Sequence, residues 1–217
     1  MSNDALEILA TETRHFSPSS EFSAKANAQS EIYDEARNNP LEFWDNQAHR
    51  LDWETKWTKT LDWSDAPVAK WFVGGKLNVA VNCVDRHVEM GNGDRVAFYF
   101  EGEPGDSEVI TYSQLKDRVC QAANGLIELG VNTGDRVAIY MPMIPQAVVA
   151  MLACARIGAA HSVVFGGFSS EALRSRIEDA NATLVITADG GFRKGSAFGL
   201  KTAVDEACLL YTSPSPR

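Results

Sequence analysis

The sequence predicts an α/β protein whose core is a mostly parallel sheet with crossover helices. Segments of strand and helix composition alternate from Arg136 to Cys208, and the connections between them are short, which is the pattern of successive strand–helix–strand units. Start and stop signals fall at the matching places. Thr111 is followed by Gln114 three positions later, a capping box, and Gly130 and Gly158 each close a helical stretch.

The elements follow in order. Residues 1–30 are rich in Ser, Ala, Asn, Glu and Thr without sustained periodicity, and read as a mobile arm. From Glu31 to Trp71 an aromatic series (Phe43, Trp44, Trp53, Trp57, Trp63, Trp71) runs among charges. Such rings bury more area than this stretch could cover alone, so the series predicts short helices and loops clamped onto a larger body, an aromatic-rich helical N-terminal extension. Leu77 to His87 is helix-compatible and is expected to end before the turn-prone Gly91-Asn92-Gly93-Asp94. Val96 to Phe100 and Glu108 to Thr111, separated by Gly and Pro, predict a hairpin. The capping box then opens a helix carrying Leu115, Val119, Ala122, Leu126 and Leu129 on one face. Beyond it come strand 136–141, helix 146–157, strand 162–165, helix 171–179, strand 184–188 and a weak helix over 200–208. No solenoid repeat is evident.

Composition narrows the function. A net charge of -9 disfavours nucleic acid and anionic membranes as partners. No basic-then-apolar leader opens the chain, and no apolar run approaches the roughly 20 residues of a membrane span, so a cytoplasmic protein is expected. Cys83, Cys120, Cys154 and Cys208 are far apart and show no zinc-ligand spacing; they read as free thiols in a reducing compartment. His161 heads an apolar strand, and His15, His49 and His87 have no evident partner. None is assigned to catalysis, and no metal ligand is assigned.

Two loops follow predicted strands, where an open α/β sheet binds ligands. The first is Phe165-Gly166-Gly167-Phe168-Ser169-Ser170. Its glycines either turn the chain tightly before a Ser-capped helix or let a ligand approach the backbone, with Phe165 available for stacking. The adjacent glycines exclude the G-x-G-x-x-G fingerprint, and Glu171 excludes a nucleophile elbow. The second is Asp189-Gly190-Gly191-Phe192-Arg193-Lys194-Gly195-Ser196. Its glycines have Walker A separation, but Ser196 stands at the lysine position, which excludes a P-loop. What remains is a glycine-flanked cation pair, Arg193 and Lys194, suited to phosphate, or a solvated surface turn.

The run from Val131 to Pro142, Ala150 to His161 and Val163 to Ser169, together with Trp71-Phe72-Val73-Gly74-Gly75-Lys76-Leu77-Asn78 and Asn82 to His87, closely resembles the acetyl-CoA synthetases, members of the adenylate-forming (AMP-binding) superfamily. The resemblance covers roughly residues 31–208. It implies the partial N-terminal domain of an adenylate-forming ligase, divided as arm 1–30, extension 31–90, AMP-binding domain 91–208 and a foreign-looking tail 209–217. It implies a two-step reaction in which acetate and ATP give acetyl-adenylate and CoA then displaces AMP, with acetate, ATP and CoA as small-molecule substrates and Mg2+ in the full-length enzyme. It places Phe165, Gly166 and Gly167 near the CoA nucleotide, and Arg193, Lys194, Gly195 and Ser196 at its phosphates. The family commonly carries a second basic residue where this chain has Ser196, so a contact is expected to be weaker or supplied by Lys194 or Lys201. The family's glycine-rich phosphate loop, ribose aspartate and lid lysine have no match here. No catalytic residue is therefore assigned, and the chain is expected to be a fragment inactive alone. A propionyl-CoA or other short-acyl synthetase, or a noncatalytic CoA-nucleotide-binding or assembly module, are the alternatives.

Overall fold

Strand β5, Arg136–Tyr140, organises the molecule. Its run Val137-Ala138-Ile139-Tyr140 is apolar at every position, the composition of a strand covered on both faces, and all four residues are buried. In the computed structural model, which describes residues 14–210, β5 lies between two parallel neighbours in the order β6-β5-β7, with β6 at Ala160–Val163 and β7 at Leu184–Thr187. Val137 pairs with His161 on one side and Leu184 on the other. The expectations for residues 1–13 of the arm and 211–217 of the tail lie outside the described residues.

The chain forms two compact units that meet in sequence after Arg50. The first unit contains the helices α1 (Ser20–Ala24), α2 (Ser30–Asn38) and α3 (Pro40–Ala48). The short α1 falls within the stretch expected to be an arm; Ser19 caps it by accepting a hydrogen bond from Phe22 N. In α3 Phe43 and Trp44 meet edge to face at 5.2 Å. His49, expected to lack a partner, places Nδ1 2.8 Å from the Asp45 carbonyl oxygen.

The second unit begins differently from expectation. Instead of further helices, β1 (Lys59–Asp62) and β2 (Lys70–Val73) form an antiparallel hairpin. Trp53, Trp57 and Phe72 gather beside it with ring centroids 4.8 to 5.7 Å apart. Cross-ring packing of this kind favours strands, and only spacing along the chain suggested otherwise. The next helical segment begins at residue 79 and widens into π turns at Val81–Asp85 and from Val88 on. Its helical backbone breaks at Gly91, where φ is 81° and the chain kinks, at the expected stop. Within it Asp85 accepts two hydrogen bonds from the Arg156 guanidinium, at 2.7 and 2.9 Å.

The hairpin β3 (Val96–Glu101) and β4 (Ser107–Thr111) forms as expected. So does the capping box that opens α4, Tyr112–Glu128: Gln114 N donates to Thr111 Oγ1, and Thr111 N donates to Gln114 Oε1. Its buried face is Leu115, Val119, Ala123 and Leu126. Ala123 rather than Ala122 lies at its centre, and Leu129 is exposed, because the helix has ended by then. His87 finds a partner across this junction, stacking on Tyr112 with centroids 4.7 Å apart.

Helices α5 (Pro145–Ile157) and α6 (Ser170–Ala180) are the crossovers, and α7 (Lys201–Leu210) follows. Because side chains alternate along a strand, β5 serves two cores. Val137 and Ile139 join Leu115, Val119, Val149 and Cys154 on the α4 and α5 side. Ala138 and Tyr140 join Leu173, Ile177, Leu200 and Val204 on the α6 and α7 side. Burial pushes the Cys154 thiol above its ordinary value. Since β6 lies on one side of β5 and β7 on the other, with α5 and α6 on opposite faces, the carboxyl end of β5 is a topological switch point, the place where such sheets open a crevice.

Candidate functional site

The crevice is present at that place. A cavity of about 930 Å³ lies against residues that immediately follow the three parallel strands: Met141 and Pro142 after β5, Phe165 and Gly166 after β6, Asp189 and Gly190 after β7. The turn of the β3–β4 hairpin closes one side of it.

Strand β6 is two residues earlier than expected. Ala160 N donates to Asp135 O directly after the Gly158 cap, so pairing ends at Val163 and Phe165 leaves the ladder. Its ring is 56% exposed, a face open to stacking rather than a core residue. The Gly166–Phe168 loop is held from below: the Tyr140 hydroxyl donates to Phe168 O at 2.9 Å and lies 3.4 Å from Gly166 O. A buried Tyr must find a partner for its hydroxyl, and this one finds it in the loop. Burial raises the Tyr140 pKa, so the hydroxyl stays a donor. Ser169 then caps α6, accepting from Ala172 N at 3.3 Å. A hydrogen bond from the Glu171 backbone N–H, then one from the Ser169 hydroxyl, hold the Glu171 carboxyl below its usual value.

The second loop is not the loose turn that its composition suggested. Gly190–Arg193 and Ser196–Gly199 are the strands β8 and β9 of an antiparallel hairpin, with Arg193 opposite Ser196. Lys194 and Gly195 form its two-residue turn with φ of 55° and 77°, the left-handed pair that a tight hairpin requires. Asp189 anchors the hairpin: its carbonyl accepts from Leu200 N and Lys201 N, and its carboxylate from Gly190 N.

These two loops meet. The Arg193 guanidinium lies over the Phe165 ring with 5.1 Å between Cζ and the centroid, a cation–π contact. Gly167 allows it, because a Cβ there would collide with Arg193 Nη1 and would lie 2.7 Å from Phe165 Cε1. Gly166, Gly167 and Arg193 also line a second, more open cavity of about 500 Å³, together with Lys194 and Ser196. Of the seven residues singled out from sequence, six line one or both cavities. The seventh, Gly195, donates its backbone N–H to Glu103 in the β3–β4 turn. Lys201, considered as a substitute cation, pairs instead with Asp205 one turn along α7.

Sequence reasoning missed Tyr140 and Glu103. The signal for Tyr140 was present, a hydroxyl at the end of an otherwise apolar strand. For Glu103 there was none, since it reaches Gly195 across 92 positions. Chemically the arrangement offers an aromatic face, two glycines that let a ligand touch backbone, and two cations at a tight hairpin turn. That combination fits a base with phosphate groups. Among the described residues no group of three or more His, Cys, Asp and Glu could hold a metal ion, and no helix is long and apolar enough to cross a membrane.

Comparison with known proteins agrees with this architecture. Residues 84–214 match the model of the AMP-binding enzyme family, and residues 29–83 match that of the acetyl-coenzyme A synthetase N-terminus. The acetyl-coenzyme A synthetase of Streptomyces avermitilis is 64% identical over 207 residues, covering 95% of this chain and 32% of that protein. That of Mycolicibacterium smegmatis is 66% identical over 193 residues, covering 88% and 20%. That of Deinococcus radiodurans is 49% identical over 212 residues, covering 96% and 32%. The chain thus spans about a third or less of the length of these curated relatives. With a family match that takes in more than half of its residues, the chain belongs to the AMP-binding enzyme family, and the segment ahead of that match is of the kind that begins acetyl-coenzyme A synthetases.

Proposed function

We propose that this chain supplies the CoA-nucleotide site of an AMP-forming acetate–CoA ligase. In the complete reaction an acetate oxygen attacks the α-phosphorus of ATP, the bond to the bridging oxygen breaks, and pyrophosphate leaves. The CoA sulfur then attacks the acetyl carbonyl carbon, AMP leaves with the bond electrons, and the thiol proton passes to solvent. The residues described here bind and orient CoA rather than touch the reacting carbon. Phe165 offers a face to the adenine, Gly166 and Gly167 admit it to the backbone, and Arg193 and Lys194 face its phosphates. Mg2+, ATP and acetate are substrates or partners of the whole ligase, and no ligand cluster for Mg2+ occurs among the described residues.

The observation that carries this reading is the convergence of two separate glycine-containing loops at the carboxyl ends of β6 and β7, with Arg193 over Phe165. We assign the extension to residues 31–90 and the AMP-binding domain to 91–208. We place the protein in the cytoplasm, with small molecules rather than nucleic acid as partners, on the strength of its free cysteines and net charge of -9. Calorimetric titration with CoA tests the site. Wild type binds, and Arg193→Ala weakens binding by about tenfold or more, the worth of a charge-assisted contact to phosphate. Equal affinity in both proteins, or none in wild type, refutes it. Acetate-dependent formation of AMP from ATP by the whole protein tests the ligase assignment.

A further inference from the structure

The turn that faces phosphate in the proposed site already holds an anion, and the chain supplies it. In a two-residue hairpin turn the N–H of the second turn residue is not used by the ladder. Here that residue is Gly195, and its N–H is directed at Glu103 Oε1. Glu103 is carried there by the β3–β4 reversal, which also bears Asp106 and follows Glu101 at the end of β3. An acidic turn therefore faces a basic one, and a single backbone donor joins them. Glu103 is exposed, so the bond is made in water and is exchangeable rather than structural.

We propose that Glu103 is an internal occupant of the phosphate position at the Lys194–Gly195 turn, which an incoming phosphate must displace. This rests on the reading of that turn as phosphate-binding. One N–H cannot serve a carboxylate and a phosphate oxygen together, so the two compete for it, and the negative charge of Glu103 opposes the approach of a second anion. The ligand that succeeds is one whose multiple charge engages Arg193 and Lys194 as well as Gly195.

The test titrates inorganic pyrophosphate into the chain by calorimetry, in wild type, Glu103→Gln and Glu101→Gln. Glutamine keeps the length of Glu103 and offers Gly195 only a neutral acceptor. Pyrophosphate affinity is expected to rise about threefold to tenfold in Glu103→Gln at low ionic strength and to lose most of that gain in high salt. Glu101→Gln removes the same charge two residues away without releasing Gly195, and is expected to gain less than half as much on a logarithmic scale. Equal gains in the two variants would show a general charge effect and overturn the proposal, as would no gain, or a loss, in Glu103→Gln. The Gly195 amide resonance of the ligand-free chain gives a second readout. It moves on Glu103→Gln and stays near its wild-type position in Glu101→Gln; no movement in Glu103→Gln overturns the proposal. The nucleotide reading fails separately: if CoA does not bind while Glu103→Gln tightens pyrophosphate, that reading is lost and the internal occupant stands.

Discussion

Strand β5 and the segment just beyond it differ sharply. Tyr140 at the end of the strand is 2% exposed, whereas Met143, three residues on, is 90% exposed. The same change occurs between Val164, at 1%, and Phe165, at 56%. Within β5 every apolar residue packs into one of two helical layers. On the rim side, apolar rings and glycines stand open around a cavity. The comparison teaches that apolar area in this chain has two uses. Behind the strand ends it stabilises the fold, and in front of them it is left for a ligand. Composition cannot tell these uses apart, but position relative to the strand ends does.

Substitutions on the two sides should therefore separate stability from binding. The largest stability loss is expected at Asp85, a buried carboxylate that joins the π-containing segment to α5 through Arg156. Asp85→Ala strands a largely buried guanidinium and should cost about 3–5 kcal/mol in urea denaturation, with CoA affinity of the folded fraction unchanged. A loss below about 1 kcal/mol would break the division. Gly167→Ala should give the reverse. Its Cβ would push Arg193 off Phe165, weakening CoA about tenfold in calorimetry while the urea midpoint shifts by less than about 1 kcal/mol. The smallest effect concerns the hairpin that borders both regions. Arg118 on α4 donates to Glu108 on β4 and thereby holds that carboxyl below its ordinary value of 4.5. A depressed pKa means that the unfolded chain binds the proton more tightly, so this pair contributes stability above pH 4.5 that is lost as pH falls through the folded-state value. Melting of Glu108→Gln should accordingly show its loss of stability at neutrality, a small loss because the pair is exposed to solvent. That loss should shrink as pH falls below 4.5, which makes the acid limb of the variant shallower than that of wild type.

The parallel core was legible because its signals are local. Val137 to Tyr140 is apolar throughout, Thr111 and Gln114 form their reciprocal cap, and Gly158 ends α5 in the left-handed region. The hairpin β1–β2 was not legible, since what makes Lys59–Asp62 a strand is the gathering of Trp53, Trp57 and Phe72 in space. The break at Gly91 was legible, since a glycine beside an asparagine favours a turn and Gly91 takes the left-handed φ of 81° there. The π turns ahead of it were not, because no local pattern marks them. In the candidate site the residue types and loops were legible, because glycines after a strand and paired cations carry chemical meaning on their own. Their meeting was not, because the contact of Arg193 with Phe165 depends on where β8 folds back after β7.

The hydroxyl of Tyr140 joins the two regions. Its ring belongs to the buried layer with Leu173 and Leu200, while its oxygen holds the carbonyl of Phe168. A glycine pair in open solvent would sample many shapes and would have to surrender that freedom on binding. Here the Tyr140 bond removes part of that freedom when the sheet forms, and the matching part of the ordering cost is met during folding. The loop is tied to the strand beneath it at Phe168, so a ligand arriving at Gly166 and Gly167 meets a contour already held in part by the sheet.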